Sequence, residues 1–210
     1  MIVLTLNLFP RSLSACEVNM INVFSHLLKP FGYLLIKGIS GKRAYDWWAP
    51  AFLTILSAAY FYLLKVPTTD LLKDGGFVKS VSSFISNLPG FYIAALAAIA
   101  TFNREQIDYP LIGSNGTPFI KVTRTKENGK TVDTQEKLTR RLFLCMLFSF
   151  LTALSICILM FNAFVTPLTN VLNNDIVNWC YIIVFLFLTW QMLVSTFFGL
   201  YYLGDRIHIN

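Results

Sequence analysis

Charge is scarce in this chain. Asp, Glu, Lys and Arg make up 13% of its 210 residues, against about 25% in soluble domains. With 55% of residues hydrophobic and 15% aromatic, the polar surface falls short of what water must cover, so lipid covers much of the exterior. Histidine is nearly absent, with only His26 and His208, and neither sits in a ligand-spaced cluster. The four cysteines, Cys16, Cys145, Cys157 and Cys180, lack C-x-x-C spacing, and three lie in apolar runs where a thiol acts as a small hydrophobe. These absences argue against a zinc or disulfide framework. Phosphate-binding glycine loops, nucleophile elbows and H-E-x-x-H are missing too. The sequence therefore predicts a non-enzyme without cofactor or metal.

What the chain has instead is long uncharged runs. A spanning helix needs about 20 mostly apolar residues. Residues 47–64, 142–165 and 176–203 meet this, the last needing tilt or protrusion because 28 residues rise about 42 Å. A further run, 84–102, opens with polar Ser86 and Asn87 and with Pro89 and Gly90; Asn87 is a candidate helix cap with Pro89 in the first turn. The predicted fold is an all-α membrane protein with four transmembrane helices, an amphipathic N-terminal arm and a small cytoplasmic β-hairpin. Its order is arm 1–46, span 47–64, external connection 65–83, span 84–102, cytoplasmic connection 103–141, span 142–165, external turn 166–175, span 176–203 and tail 204–210.

Basic residues give the orientation. With both termini cytoplasmic, fourteen Lys and Arg lie inside and three outside. Arg140 and Arg141 abut the third span and are assigned to the inner membrane interface. Trp47, Trp48, Tyr201 and Tyr202 are assigned there as well, because such rings pair an apolar body with a hydrogen-bonding edge. Mid-span Trp190 is expected to pack against a helix. The expected location is a bacterial inner membrane.

The N-terminal arm carries a misleading signal. Leu13-Ser14-Ala15-Cys16 resembles a lipoprotein cleavage box, but no positive region precedes it and Pro10-Arg11 interrupts the apolar stretch. Further on, Met20, Val23, Phe24, Leu27, Leu28, Phe31, Leu34 and Leu35 form an amphipathic pattern broken at Pro30. It suits a cytoplasmic membrane surface or packing against the cytoplasmic loop.

The largest polar stretch is 103–141. Phe119 to Thr125 alternates apolar and polar residues, Asn128-Gly129 is a turn signal, and residues 130–133 can return as a second strand. Asp133 and Glu136 form a capping-box pattern, predicting a helix that opens there and continues into the third span. Lys121, Arg124, Lys126 and Lys130 lie beyond what the membrane edge needs. Two readings stay open: a basic strand edge that binds a partner, or a solvated loop attracted to anionic lipid. Direct nucleic-acid binding is not expected.

The four spans hold no Asp, Glu, Lys or Arg, which argues against proton pumps and ion-coupled transporters. Asn162, Asn178 and Gln191 are the strongest polar candidates within them and read as interhelical glue. Gly90, Ala94 and Ala98 repeat every four residues, a smooth stripe for close helix packing within one protomer or between copies.

In length, four-span layout and one sizeable cytoplasmic connection, the chain resembles the membrane-subunit family, KwaA, of the Kiwa bacterial anti-phage defence system. The resemblance rests on whole-chain architecture, and no residue-level role carries over. It implies an inner-membrane homo-oligomer that senses phage attack and works with a cytoplasmic DNA-binding effector, KwaB. The leading expectation is a membrane sensor or scaffold that recruits such an effector. The alternative is a pore-forming or small-solute transport protein.

Overall fold

The structure is a computed structural model that describes residues 27–36, 38–39, 41–101, 108–111, 118–125, 131–172 and 174–208. It is predominantly helical, and the chain divides into two compact units, residues 1–40 with 102–146 and residues 41–101 with 147–210.

In the first unit, a 3-10 helix spans Lys29–Leu35 with proline in its first turn, where a missing N–H costs no helical bond. Strands β1 (Phe119–Thr125) and β2 (Thr131–Lys137) pair antiparallel, Phe119 opposite Lys137 and Thr125 opposite Thr131. Residues 126–130, including the Asn128-Gly129 signal, lie outside the described residues. The apolar centre is Tyr33, Leu111, Leu138 and Phe143, all buried, with the Tyr33 and Phe143 rings 5.8 Å apart. Leu138 is also fixed through its backbone: its N–H donates to Pro118 at 2.9 Å and its carbonyl accepts from Leu111 at 2.8 Å.

This pairing corrects the capping-box reading. Asp133 and Glu136 lie inside β2, opposite Thr123 and Ile120, where a ladder of interstrand bonds replaces the helix they were expected to open. Helix α5 starts later, spanning Arg140–Leu172. Its cap is Thr139, whose Oγ1 accepts the Leu142 N–H at 3.2 Å, satisfying one of the unpaired donors of the first turn.

The second unit contains a π-helical turn (Ala44–Trp48), α1 (Ala49–Leu63), α2 (Thr68–Leu72), α3 (Phe77–Ile85), α4 (Leu88–Thr101), the rest of α5, and α6 (Asp175–His208). Its buried centre includes Ile85, Leu147, Leu151, Ile158, Ile182 and Phe185. α1 packs along α6; the Tyr45 and Phe198 rings are 4.9 Å apart, and Trp190 donates to Ser57 Oγ at 3.0 Å. α6 also meets α5 closely, because a Cβ at Gly199 would lie 2.8 Å from Leu147 Cδ2.

Among the described residues, three helical stretches are long and apolar enough to cross a membrane: Thr68–Thr101, Arg140–Thr169 and Asp175–Gly204. The first counts α2, α3 and α4 together with the bends between them. At one bend, a Cβ on Gly76 would meet the Asp70 carbonyl at 2.6 Å, so only glycine fits. The other bend corrects the cap assigned to Asn87: its Nδ2 donates backward to the Ser83 carbonyl at 3.1 Å, closing α3 rather than opening α4.

The expected turn at 166–175 is also shorter than predicted. α5 runs through Pro167 to Leu172. Proline removes a helical donor, but hydroxyl groups supply local bonds around it: Thr166 Oγ1 donates to the Asn162 carbonyl at 2.7 Å and Thr169 Oγ1 to the Thr166 carbonyl at 2.8 Å. Such side-chain bonds let proline persist in apolar helices.

Candidate functional site

The basic segment singled out by sequence lies in the first unit. Lys121 and Arg124 are on β1, opposite Gln135 and Val132 of β2, whereas Lys126 and Lys130 lie outside the described residues. A two-stranded sheet leaves outer backbone edges on both strands. Near it, Arg141 makes a two-point contact with Asp108, Nε to Oδ1 at 2.8 Å and Nη2 to Oδ2 at 2.9 Å. Arg141 is therefore held by protein; Arg140 is half-buried.

The second unit holds a buried polar site just before the first uncharged run. Lys42 and Asp46, one helical turn apart, are buried at 7% and 2% exposure and form an ion pair. Asp46 lies in the π-helical turn, four residues before Pro50. In an α-helix the Asp46 carbonyl would accept from residue 50, and proline has no N–H to give. Gln191 Nε2 donates to this carbonyl from α6 at 3.1 Å. Gln191 thus joins the π-helical turn to α6, as interhelical glue. The signal available in the sequence was the i, i+4 pairing of Lys42 with Asp46, followed by Pro50.

Asn162 forms a second junction. Its Nδ2 donates to Ser82 Oγ on α3 at 2.6 Å, and its Oδ1 accepts from Thr166 at 2.9 Å and from the Tyr181 hydroxyl on α6. One amide thereby ties three helices. Asn178, also buried, reaches Thr68 at 3.5 Å, while Thr68 donates to Asp175 Oδ1 at 3.0 Å. All three polar span residues join helices, yet they do not form one cluster.

The assigned interface residues divide. Trp47 meets mid-helix Phe187 with ring centres 6.1 Å apart, yet it and Trp48 are both exposed. Tyr201 is exposed and Tyr202 half-buried near the end of α6. The ring brought near that end of α6 is Tyr45, through Phe198, rather than Trp47. Gly90, Ala94 and Ala98 are all exposed on α4, so the small-residue stripe does not serve packing within this unit. A Cβ at Gly90 would meet nothing within 4 Å.

Among the described residues, no group of three His, Cys, Asp or Glu side chains could hold a metal ion, and the polar junctions above consist of structural hydrogen bonds. Cys145, Cys157 and Cys180 are free thiols; Cys16 and its cleavage-box signal lie outside the described residues. Compared with protein-family models, curated proteins and solved structures, the chain matches none.

Proposed function

We propose that this protein is a multi-pass sensor or scaffold of a bacterial inner membrane, acting in an anti-phage defence complex that recruits a cytoplasmic DNA-binding effector. The observation that carries the proposal is the separate unit built from 1–40 and 102–146: it contains the paired strand of the polar connection that bears Lys121 and Arg124, while Asn162 and Gln191 of the helical unit are engaged in joining helices. The architectural resemblance to the Kiwa membrane subunit supplies the biological class, with KwaB the corresponding effector.

The arrangement has four crossings, with both termini and residues 103–141 cytoplasmic. Helical residues 42–63 run without a break through the π-helical turn into α1, long enough for the fourth crossing within the usual range of roughly 17–25 residues. Lys42 and Arg141 are partly neutralised by their acidic partners, but Lys73 and Lys79 on the opposite side are also paired, with Asp70 and Asp74. The positive-inside imbalance therefore keeps its sign. The exposed small-residue stripe supports a homo-oligomer, since close backbone approach by another copy is sterically open there.

Charge reversal tests the recruiting face. Lys121, Arg124, Lys126 and Lys130 changed together to Glu should leave insertion and oligomer size unchanged, yet abolish recovery of a stoichiometric soluble partner and phage protection. Like charges meeting across an interface cost several kcal/mol. Unchanged partner recovery at normal expression would reduce the segment to a solvated loop. The alternative, a pore or small-solute transporter, draws support from the buried Lys42–Asp46 pair, because ionisable groups inside a bundle often mark a pathway. Solute flux from proteoliposomes containing this protein alone would favour it.

A further inference from the structure

Two cavities in the helical unit adjoin one another and differ in chemistry. The larger, about 1010 Å³, opens among α1, α3 and α6 and is walled by Phe61, Phe77, Phe84, Leu186 and Trp190. The smaller, about 430 Å³, lies at the end of α1 and carries Lys65, Thr68, Asp175, Tyr62 and Trp179. Phe61 is common to both walls, and its ring meets Phe77 edge-on at 5.1 Å. An apolar chamber thus abuts, across Phe61, a mouth carrying one cation, one anion and two aromatic rings.

We propose that this composite cavity binds one phospholipid with an amine-bearing, zwitterionic head, one of its acyl chains in the apolar chamber and its head at the charged mouth. In a bilayer, acyl chains are the abundant long apolar molecules able to enter such a chamber. The head follows from charge complementarity. Lys65 offers a compact cation to the phosphate, while Asp175 and the faces of Trp179 and Tyr62 suit an ammonium. An anionic head without an amine would leave the Asp175 carboxylate facing like charge.

The backbone at Lys65 adds an independent observation. α1 ends with Val66 N–H donating to Phe61 and Lys65 N–H to Tyr62, at 3.2 and 3.1 Å, and Lys65 has φ of 52°. This is a Schellman ending, whose left-handed position is usually glycine. A lysine there is disfavoured by contact of its Cβ with the following carbonyl, and that unfavourable choice holds an ammonium at the mouth.

The test uses the full chain in nanodiscs containing equal phosphatidylethanolamine and phosphatidylglycerol, followed by native mass spectrometry. One phosphatidylethanolamine should remain bound after surrounding lipid is stripped. Lys65→Gly should raise the apparent melting temperature in lipid-free detergent by about 2–4 °C, because it relieves the left-handed backbone, yet reduce phosphatidylethanolamine retention about tenfold. A folding defect cannot produce that combination. Ala59→Phe, which places a ring in the apolar chamber, should also release the lipid without changing helix content. Equal retention of the two lipids, or full retention of phosphatidylethanolamine in both variants, overturns the proposal.

Discussion

At the scale of single residues, the Lys42–Asp46 pair is the most consequential departure from an apolar interior. Burying charges is expensive unless each is paired, and removing one of the two takes its opposite charge from the other. Asp46→Ala should therefore destabilise the protein by about 3–5 kcal/mol, read as a lowered melting temperature in detergent. The double change Lys42→Met with Asp46→Leu removes both charges and should recover most of that loss. If the single and double variants melt alike, the pair contributes little and the aspartate acts through packing alone. Gln191 has a different role: it donates to the Asp46 carbonyl four residues before Pro50, which has no N–H to give in an α-helical register, and so joins the π-helical turn to α6.

At the scale of elements, the small-residue stripe on α4 and the boundary of α5 are instructive. Gly90, Ala94 and Ala98 were legible as a helical face from their spacing, but spacing leaves open what covers that face. The structure leaves it exposed. Ala94→Leu with Ala98→Leu should consequently leave the melting temperature of the protomer nearly unchanged, yet shift native mass in mild detergent from oligomer toward monomer. An unaltered protein that is already monomeric there would remove the oligomer proposal. The start of α5 was misread because D-x-x-E is only a local preference, and Asp133 and Glu136 acquire interstrand partners in β2. Propensity lost to pairing with a strand distant in sequence, and the cap passed to Thr139.

For the whole molecule, topology is the property on which the functional reading turns. A reporter inserted at Gly129 should score as cytoplasmic and one at Asn174, between α5 and α6, as external. Asn174 is the suitable site because α5 extends to Leu172, beyond the expected end of that span. An external score at Gly129 would reverse the orientation and place the basic strand where no cytoplasmic effector can reach it. The result would also decide whether Lys121 and Arg124 act beside the inner leaflet, where anionic lipid competes for them.

The sequence by itself determined that this chain is mostly helical with runs long and apolar enough to cross a membrane, because long uncharged runs in so charge-poor a chain satisfy their backbone polar groups most simply as helices in lipid. It also marked Asn162, Asn178 and Gln191 as helix-joining groups, since polar amides in apolar runs need partners wherever they lie. Only the tertiary structure decided which partners they take: Ser82 and Tyr181 for Asn162, and the Asp46 carbonyl for Gln191. It likewise decided that Lys42 is buried, that Arg141 meets Asp108, and that an apolar chamber abuts a charged mouth at Phe61. Hydrophobicity is a property summed along a segment and survives reading one residue at a time. A hydrogen bond, an ion pair or a cavity wall depends on groups separated along the chain, and exists only where folding brings them together.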